Sequence, residues 1–211
     1  MVVERGATPT VRAYEQRDRT IAAALLYASS GGMYDRYAGR PELARKVLTR
    51  ALERERTTAS ADVVHVAEID GQVAGAMAAM PYSEWTPRAR AFLRVTLTSI
   101  PPWHWLGALS TFRLSGRAAP EPPTSSLYVD SLAVTRQLRR RGAGRALLAE
   151  AERFAYSSGL DSVSLDVWAD NDAARALYRS TGFVEVATTP AARGLPGGVA
   201  LRKEVRFGRD R

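Results

Sequence analysis

The sequence contains no cysteine and only two histidines, His65 and His104, among its 211 residues. The lack of cysteine excludes disulfides, thiolate metal ligands and a cysteine nucleophile. Because zinc sites in proteins are built mainly from cysteine and histidine, we expect no metal site. Any catalysis must therefore use other side chains.

Long uninterrupted apolar runs are also missing. Residues 95–112 carry no Asp, Glu, Lys or Arg, but Pro101, Pro102 and several hydroxyl residues interrupt them, so we expect no membrane span. The N-terminal residues lack the apolar segment of a signal peptide, which predicts a soluble, cytoplasmic protein. A hydrophobic content of 45% over 211 residues fits a single domain covering residues 1–211.

A strand, a basic turn and a helix follow one another in residues 127–155. Residues 127–134 are mostly apolar or β-branched and contain no glycine or proline, as is typical of a buried central strand. Residues 136–145 are basic and rich in glycine. Apolar residues then recur at the spacing of one helix face, at Leu147, Leu148, Ala151, Phe154 and Ala155. The glycines therefore lie at a helix N-terminus.

This helix N-terminus has the features of an anion site. First-turn amides have no partner within the helix, and the helix dipole adds partial positive charge. Gly142 and Gly144 keep β-carbons away from a ligand. The neighbouring cations are Arg139, Arg140, Arg141 and Arg145. Since charge-assisted hydrogen bonds contribute roughly 1.5–3 kcal/mol each, we expect a multiply charged anion such as a pyrophosphate.

Two common phosphate-binding motifs do not fit this turn. The dinucleotide fingerprint would need glycine where Leu147 stands, and the P-loop needs a Gly-Lys-Ser/Thr tripeptide that the sequence lacks. The remaining pattern, Arg139-x-x-Gly142-x-Gly144, resembles the Q/R-x-x-G-x-G/A motif of the GNAT superfamily of acyl-CoA-dependent N-acyltransferases.

A second segment resembles the same superfamily. Residues 162–168 read as a strand, and a capped helix ended by glycine follows. The helix matches the signature N-x-x-A-x-x-L-Y-x-x-x-G-F at Asn171, Ala174, Leu177, Tyr178, Gly182 and Phe183. The resemblance covers residues 125–207 well and residues 8–80 loosely.

The resemblance implies an acetyltransferase that takes acetyl-CoA as donor and a primary amine as acceptor, by direct attack in a ternary complex and without a metal. The cofactor-binding residues it implies are Leu132, Ala133, Val134, Arg139, Arg140, Arg141, Gly142, Ala143, Gly144, Arg145, Asn171, Ala174 and Tyr178. Amides at residues 132–134 would hold the carbonyl oxyanion and pair with the pantetheine arm.

Two catalytic residues are predicted. Near pH 7 only about one alkylamine in 10³ to 10⁴ is neutral, so a proton acceptor is useful, and the leaving thiolate benefits from a donor. Tyr178 is the expected donor, because its motif position in the family lies near the thioester sulfur. Asp166 is the expected acceptor, since it aligns with the glutamate of ribosomal-protein N-terminal acetyltransferases. The alternatives are Asp130, Glu68 and Glu84, and some members need no single base.

The fold class implied is α/β (α+β): a mixed central sheet of about seven strands flanked by helices. Asp70-Gly71 predicts a hairpin between residues 62–69 and 72–80. Residues 31–39 are expected to be a loop whose Tyr34, Asp35 and Tyr37 contact substrate or pack on a helix. Residues 81–126 are predicted to be a two-helix insertion, beginning at Thr86 and ending in a proline-rich return. Residues 208–211 are expected to be a frayed tail.

Other functions remain open at the level of sequence. The net charge of +8 fits nucleic acid, an acidic substrate or CoA phosphates, but no aromatic-interleaved basic strand supports RNA binding, so nucleic acid is not expected. A non-catalytic acyl-CoA-binding module and an acyltransferase acting on aminoacyl-tRNA are the alternatives. Trp103 and Trp105 could line an acceptor pocket, form a homodimer contact or pack in the core. The amine itself is left undefined.

Overall fold

A computed structural model describes residues 7–115, 121–191 and 196–205. Its centre is a seven-stranded mixed sheet with the order β1-β2-β3-β4-β5-β7-β6. The strands are β1 Thr10–Ala13, β2 Val64–Ile69, β3 Gln72–Pro81, β4 Ser126–Val134, β5 Ser162–Trp168, β6 Val184–Thr189 and β7 Gly198–Glu204. The expected α/β class and seven-stranded mixed sheet are confirmed.

Helices cover both faces of this sheet. They are α1 Arg19–Ser29, α2 Met33–Ala38, α3 Pro41–Leu52, α4 Tyr82–Leu97, α5 Trp105–Ser115, α6 Ala143–Ser157 and α7 Asp172–Ser180. On one face, Leu147 and Leu148 of α6 pack with Tyr178 of α7. On the other face, Leu48 of α3 and Phe92 of α4 share a cluster. Each fully buried leucine contributes about 1.5–3 kcal/mol.

The strands β4 and β5 run parallel, whereas the other described strand pairs are antiparallel. Their pairing stops at Val129 and Leu165, although β4 continues to Val134 and β5 to Trp168. Beyond that point β4 pairs only with β3, and β5 only with β7. The two strands therefore separate toward their carboxyl ends, which opens a gap in the middle of the sheet.

A β-bulge in β4 lies where this parting begins. Ala78 of β3 is opposite Ser131, and Ala79 is opposite Val129, so Asp130 has no partner in β3. The extra residue changes which side of the sheet each later side chain faces. Leu127 and Val129 before the bulge, and Leu132 and Val134 after it, therefore all pack against the α6 core.

The β2–β3 hairpin is confirmed. Asp70 and Gly71 have φ angles of 53° and 73°, as a two-residue type I′ turn requires. Ile69 lies opposite Gln72 directly beside the turn.

Two local predictions are wrong. The segment expected to be a loop at residues 31–39 contains helix α2, which is bounded by Gly32 and Gly39 at φ angles of 91° and 89°. The first insertion helix begins at Tyr82 rather than at Thr86, so Pro87 is inside it. Proline there removes only the bond to the Ser83 carbonyl; because Ser83 is exposed, water can satisfy that group.

The insertion belongs to the core rather than lying apart from it. Phe92 of α4 and Ala108 of α5 are buried in the same cluster as Met80 of β3. Residues 118–120 of the predicted proline-rich return and the predicted tail at 208–211 fall outside the described residues. Among the helices of the described ranges, none is both long and apolar enough to cross a bilayer.

Candidate active site

The glycine turn begins helix α6 as predicted. Gly142 is the N-cap with a φ of 90°, a conformation that favours glycine, and the Ala146 amide donates to its carbonyl at 2.9 Å. In the described chain, the amides of residues 143–145 have no backbone acceptor. They form the unpartnered first turn at which an anion is stabilised.

Gly144 is held close to helix α7. A β-carbon on this residue would lie 3.0 Å from Cδ2 of Leu177 and 3.6 Å from Cγ2 of Val134. Glycine here lets α6 and α7 approach each other beside the end of β4. The anion turn and the second motif therefore lie side by side.

The four arginines of the turn do not have equivalent surroundings. Arg141 forms an ion pair with Asp70 of the β2–β3 turn at 2.8 Å. Arg145 donates to the Ser180 hydroxyl at 3.3 Å, and Arg139 donates to the Val134 carbonyl at 3.4 Å. Arg140 has a φ of 64° and an exposed side chain. Arg141 therefore links the glycine turn to the β2–β3 turn.

The carboxyl end of β4 has an open edge toward β5. Leu132, Ala133 and Val134 pair with β3 on one side only, and no β5 residue pairs with them. Their outward backbone amides and carbonyls are therefore available to an extended ligand. This edge runs from Asp130 toward the glycine turn.

Asn171 caps helix α7. Its side-chain oxygen accepts a hydrogen bond from the Ala174 amide at 3.2 Å. Both residues lie at the start of the helix that carries Tyr178. Asn171 therefore has a structural role as the N-cap of helix α7.

Tyr178 is buried beneath α7 and packs on Phe183 with ring centroids 5.9 Å apart. Burial raises the pKa of its phenol to about 12, so the group keeps its proton at neutral pH. Within the described residues, no side chain or carbonyl hydrogen-bonds its hydroxyl. A protonated phenol without a partner can donate to a bound ligand.

Asp166 lies on β5 just beyond the last residue paired with β4. Its carboxylate is exposed, and its Oδ2 accepts a hydrogen bond from the Tyr128 hydroxyl at 2.9 Å. The surrounding protein raises the pKa of Asp166, and the Tyr128 bond partly opposes that rise.

Asp130 projects from the bulge of β4. Its Oδ1 accepts a hydrogen bond from the Trp85 indole at 2.9 Å. Burial raises the pKa of Asp130 to about 6; bonds from Trp85 and Ser131 lower it, and the charge of Asp166 adds to the rise. From sequence, Asp130 is only an alternative to Asp166 as the proton acceptor. The sequence does contain a sign of this bulge. Apolar residues stand at the odd positions 127 and 129 before it and at the even positions 132 and 134 after it.

Three aromatic rings, which we call the aromatic wall, stand beside these carboxylates: Tyr82 and Trp85 of α4 and Tyr128 of β4. Tyr82 and Trp85 are stacked with centroids 6.3 Å apart. Tyr128 meets them edge-on at 5.7 Å and 6.2 Å. All three residues are half-buried. The insertion therefore contributes directly to the site.

Tyr34 adds a further ring near Asp130. It is buried on α2, bonds to the Ser131 side chain and packs on Phe92 at 5.7 Å. The segment containing Tyr34 thus lies beside the candidate site even though it is helical. Asp35, by contrast, accepts a hydrogen bond from Tyr27 at 3.0 Å.

The other acidic candidates are engaged in ion pairs. Glu68 pairs with Arg12 at 2.5 Å, and Glu84 pairs with Arg88 at 2.8 Å. Each of these carboxylates is therefore occupied by a guanidinium. Asp130 and Asp166 have no such pairing in the part of the chain that the structure describes.

The remaining candidates lie away from these carboxylates. Burial lowers the pKa of His65 on β2, so its imidazole is neutral near pH 7. Trp103 is 77% exposed, and the Trp105 indole donates to the Leu97 carbonyl at 3.0 Å. The described residues contain no group of three or more His, Asp or Glu side chains arranged to hold a metal ion.

The parted parallel strand pair has a helix start with unpartnered amides at one end and two carboxylates at the other, an arrangement suited to an extended anionic ligand. The chain belongs to the acetyltransferase (GNAT) family, whose model matches residues 32–183. This family uses acetyl-CoA as the acyl donor.

Several characterised and uncharacterised acetyltransferases resemble the chain. It is 40% identical over 90 residues to the N-alpha-acetyltransferase RimI of Mycobacterium tuberculosis, which covers 41% of this chain and 55% of that protein. It is 30% identical over 93 residues to the uncharacterized N-acetyltransferase YycN of Bacillus subtilis, covering 44% and 53%. The matches thus span about half of each relative.

Solved structures share the fold. An N-acetyltransferase from Staphylococcus aureus Mu50 has a TM-score of 0.68 at 17% identity, covering 92% of this chain and 100% of that one. The ribosomal-protein-S18-alanine N-acetyltransferase from Escherichia coli has a TM-score of 0.52 at 18% identity, covering 97% and 99%. At these identities the similarity concerns the fold alone.

Proposed function

We propose that the protein transfers an acetyl group from acetyl-CoA to a primary amine by direct attack within a ternary complex. The observation that carries the proposal is the parting of β4 from β5. It forms one continuous path from the amides of the glycine turn, along the open edge of β4, to Asp130 and Asp166. An extended donor can lie along this path while an amine approaches from the carboxylate end.

The donor is held at its phosphate end by the first turn of α6. The amides of residues 143–145 and the exposed Arg139, Arg140 and Arg145 suit a pyrophosphate. The pantetheine arm pairs with the open edge of residues 132–134. Holding both reactants in one orientation supplies much of the rate enhancement of such a reaction.

The carboxylates take the proton of the incoming ammonium. Sequence alignment assigns this role to Asp166, and that assignment stays a prediction. Burial raises the pKa of both carboxylates, and that of Asp130 reaches about 6, which lies close to neutral pH. We therefore assign proton acceptance to this pair, with Asp130 as the final acceptor.

In the transfer step, one bond forms and one bond breaks. The amine nitrogen forms a bond to the acetyl carbon, the carbon–sulfur bond breaks, and the thiolate leaves with the electron pair. Amides of residues 132–134 stabilise the transient oxyanion. The Tyr178 phenol, which is protonated at neutral pH, donates its proton to the departing sulfur, and the second proton lost by the amine nitrogen restores the phenol.

The test combines binding with turnover. Calorimetric titration with acetyl-CoA should show saturable one-to-one binding, and a panel of primary amines should release free thiol together with an acetylated product identified by mass spectrometry. Donor binding without acetylation of any amine would overturn the proposed reaction, and no donor binding would overturn the site itself.

A further inference from the structure

We infer that the acceptor is a cationic amine that carries an aromatic or apolar group and has no carboxylate next to its amine. This inference rests on the proposed function and narrows its substrate class. It is drawn from the aromatic wall and from the uncompensated negative charge beside it.

The negative charge at the acceptor end comes from carboxylates that have no ion-pair partner within the described ranges. Asp130 and Asp166 interact with each other through space, and neither lies within an ion pair among the described residues. Glu121 and Asp166 are both close enough to act on the Tyr82 phenol. An ammonium is therefore attracted to this end of the cleft, whereas a second anion is repelled.

Two arginines of helix α4, Arg88 and Arg94, are directed to other parts of the protein. Arg88 is buried and points to Asp62 and Glu84, at 2.8 Å from each. Arg94 lines a separate groove together with Arg50 of α3. Thus the insertion supplies aromatic rings to the acceptor site and directs these cations elsewhere.

The aromatic wall presents apolar surface to the acceptor. The polar atoms of Trp85 and Tyr128 are already bonded to Asp130 and Asp166, so these residues offer their rings rather than hydrogen bonds. The rings touch one another at 5.7–6.3 Å and leave no slot between them. A flat or apolar group must lie against the wall, with its ammonium toward the carboxylates.

Matched pairs of acceptors that differ by a single carboxylate provide the test: tyramine with tyrosine, tryptamine with tryptophan, and cadaverine with lysine, for which only acetylation at the α-amine is counted. Each is assayed at saturating acetyl-CoA with product identification. We expect kcat/KM for the amine of each pair to exceed that of the amino acid by roughly 10- to 100-fold, because like charges close together are strongly unfavourable. We also expect tyramine and tryptamine to have lower KM values than cadaverine.

Two variants separate charge from apolar contact. Asp166→Asn should reduce the preference for tyramine over tyrosine; any loss of catalysis common to both acceptors cancels in that ratio. Tyr82→Ala should raise KM for tyramine more than for cadaverine, while Tyr82→Phe, which keeps the ring, should not.

The outcomes distinguish this inference from the proposed function. Equal or better acetylation of the amino acids would overturn the inference and leave amine acetylation standing. Donor binding with no acetylation of either member of any pair, nor of other primary amines, would overturn the proposed function and the inference with it.

Discussion

Asp130 is a carboxylate that folding keeps in an unfavourable environment. Its pKa is about 6 in the folded protein, against about 3.9 in an unfolded chain. The folded state therefore binds more protons than the unfolded state between these values, so stability falls as pH rises through this range. The loss of folding stability caused by Asp130 is complete above about pH 6 and absent below about pH 4.

Replacing this carboxylate should consequently stabilise the protein. We expect Asp130→Asn to increase the free energy of unfolding at pH 7 by about 1–3 kcal/mol, and to have little effect near pH 4. Urea denaturation at the two pH values measures the difference. Asp166→Asn is the matched control, and because Asp166 is exposed its gain should be smaller. An equal gain at both pH values would contradict the assigned cause.

Tyr178 makes a second prediction at the scale of one residue. Tyr178→Phe keeps the packing on Phe183 and removes only the hydroxyl, which has no bonding partner among the described residues. We expect turnover to fall by roughly 10²- to 10⁴-fold, while acetyl-CoA affinity stays within about twofold. Steady-state kinetics and calorimetry check the two parts. A fully active variant would remove the acid role.

At the scale of elements, the close contact between helices α6 and α7 limits which side chains fit in the first turn of α6. Gly144→Glu should abolish acetyl-CoA binding, because it places a negative charge at the anion site. A β-carbon alone already crowds Leu177, so Gly144→Ala is the matched control for packing. We expect Gly144→Ala to lower affinity by less than about tenfold, as moderate overpacking does. Calorimetry compares the two; equal losses would show that packing rather than charge matters.

The contribution of the insertion to the candidate site is not evident from its sequence. Helix α4 brings Trp85 to Asp130 and Tyr82 to Tyr128. From sequence, the proline at position 87 suggested a helix start, which placed Tyr82 and Trp85 outside the helix. Because proline is tolerated where the freed carbonyl reaches water, the helix begins earlier and turns both rings to the site.

At the scale of the whole molecule, local patterns predicted most of the architecture. The apolar run of residues 127–134, the Asp70-Gly71 turn and the helix-start glycine at Gly142 specify elements through nearby residues alone, and the positions of these elements are confirmed. The parting of β4 from β5 and the bulge at Asp130 depend on how distant strands pair. The proximity of Trp85 to Asp130, 45 residues apart, likewise comes from tertiary packing.

The parted strands also leave only a short seam between the two halves of the central sheet. Four residue pairs, from Ser126–Ser162 to Val129–Leu165, join its two halves. A donor lying along the open edge of β4 would serve as a missing strand and close this seam. Acetyl-CoA should therefore slow amide hydrogen exchange at alternate residues of 130–134 and leave the β2–β3 hairpin unchanged, as mass spectrometry of exchanged peptides can measure.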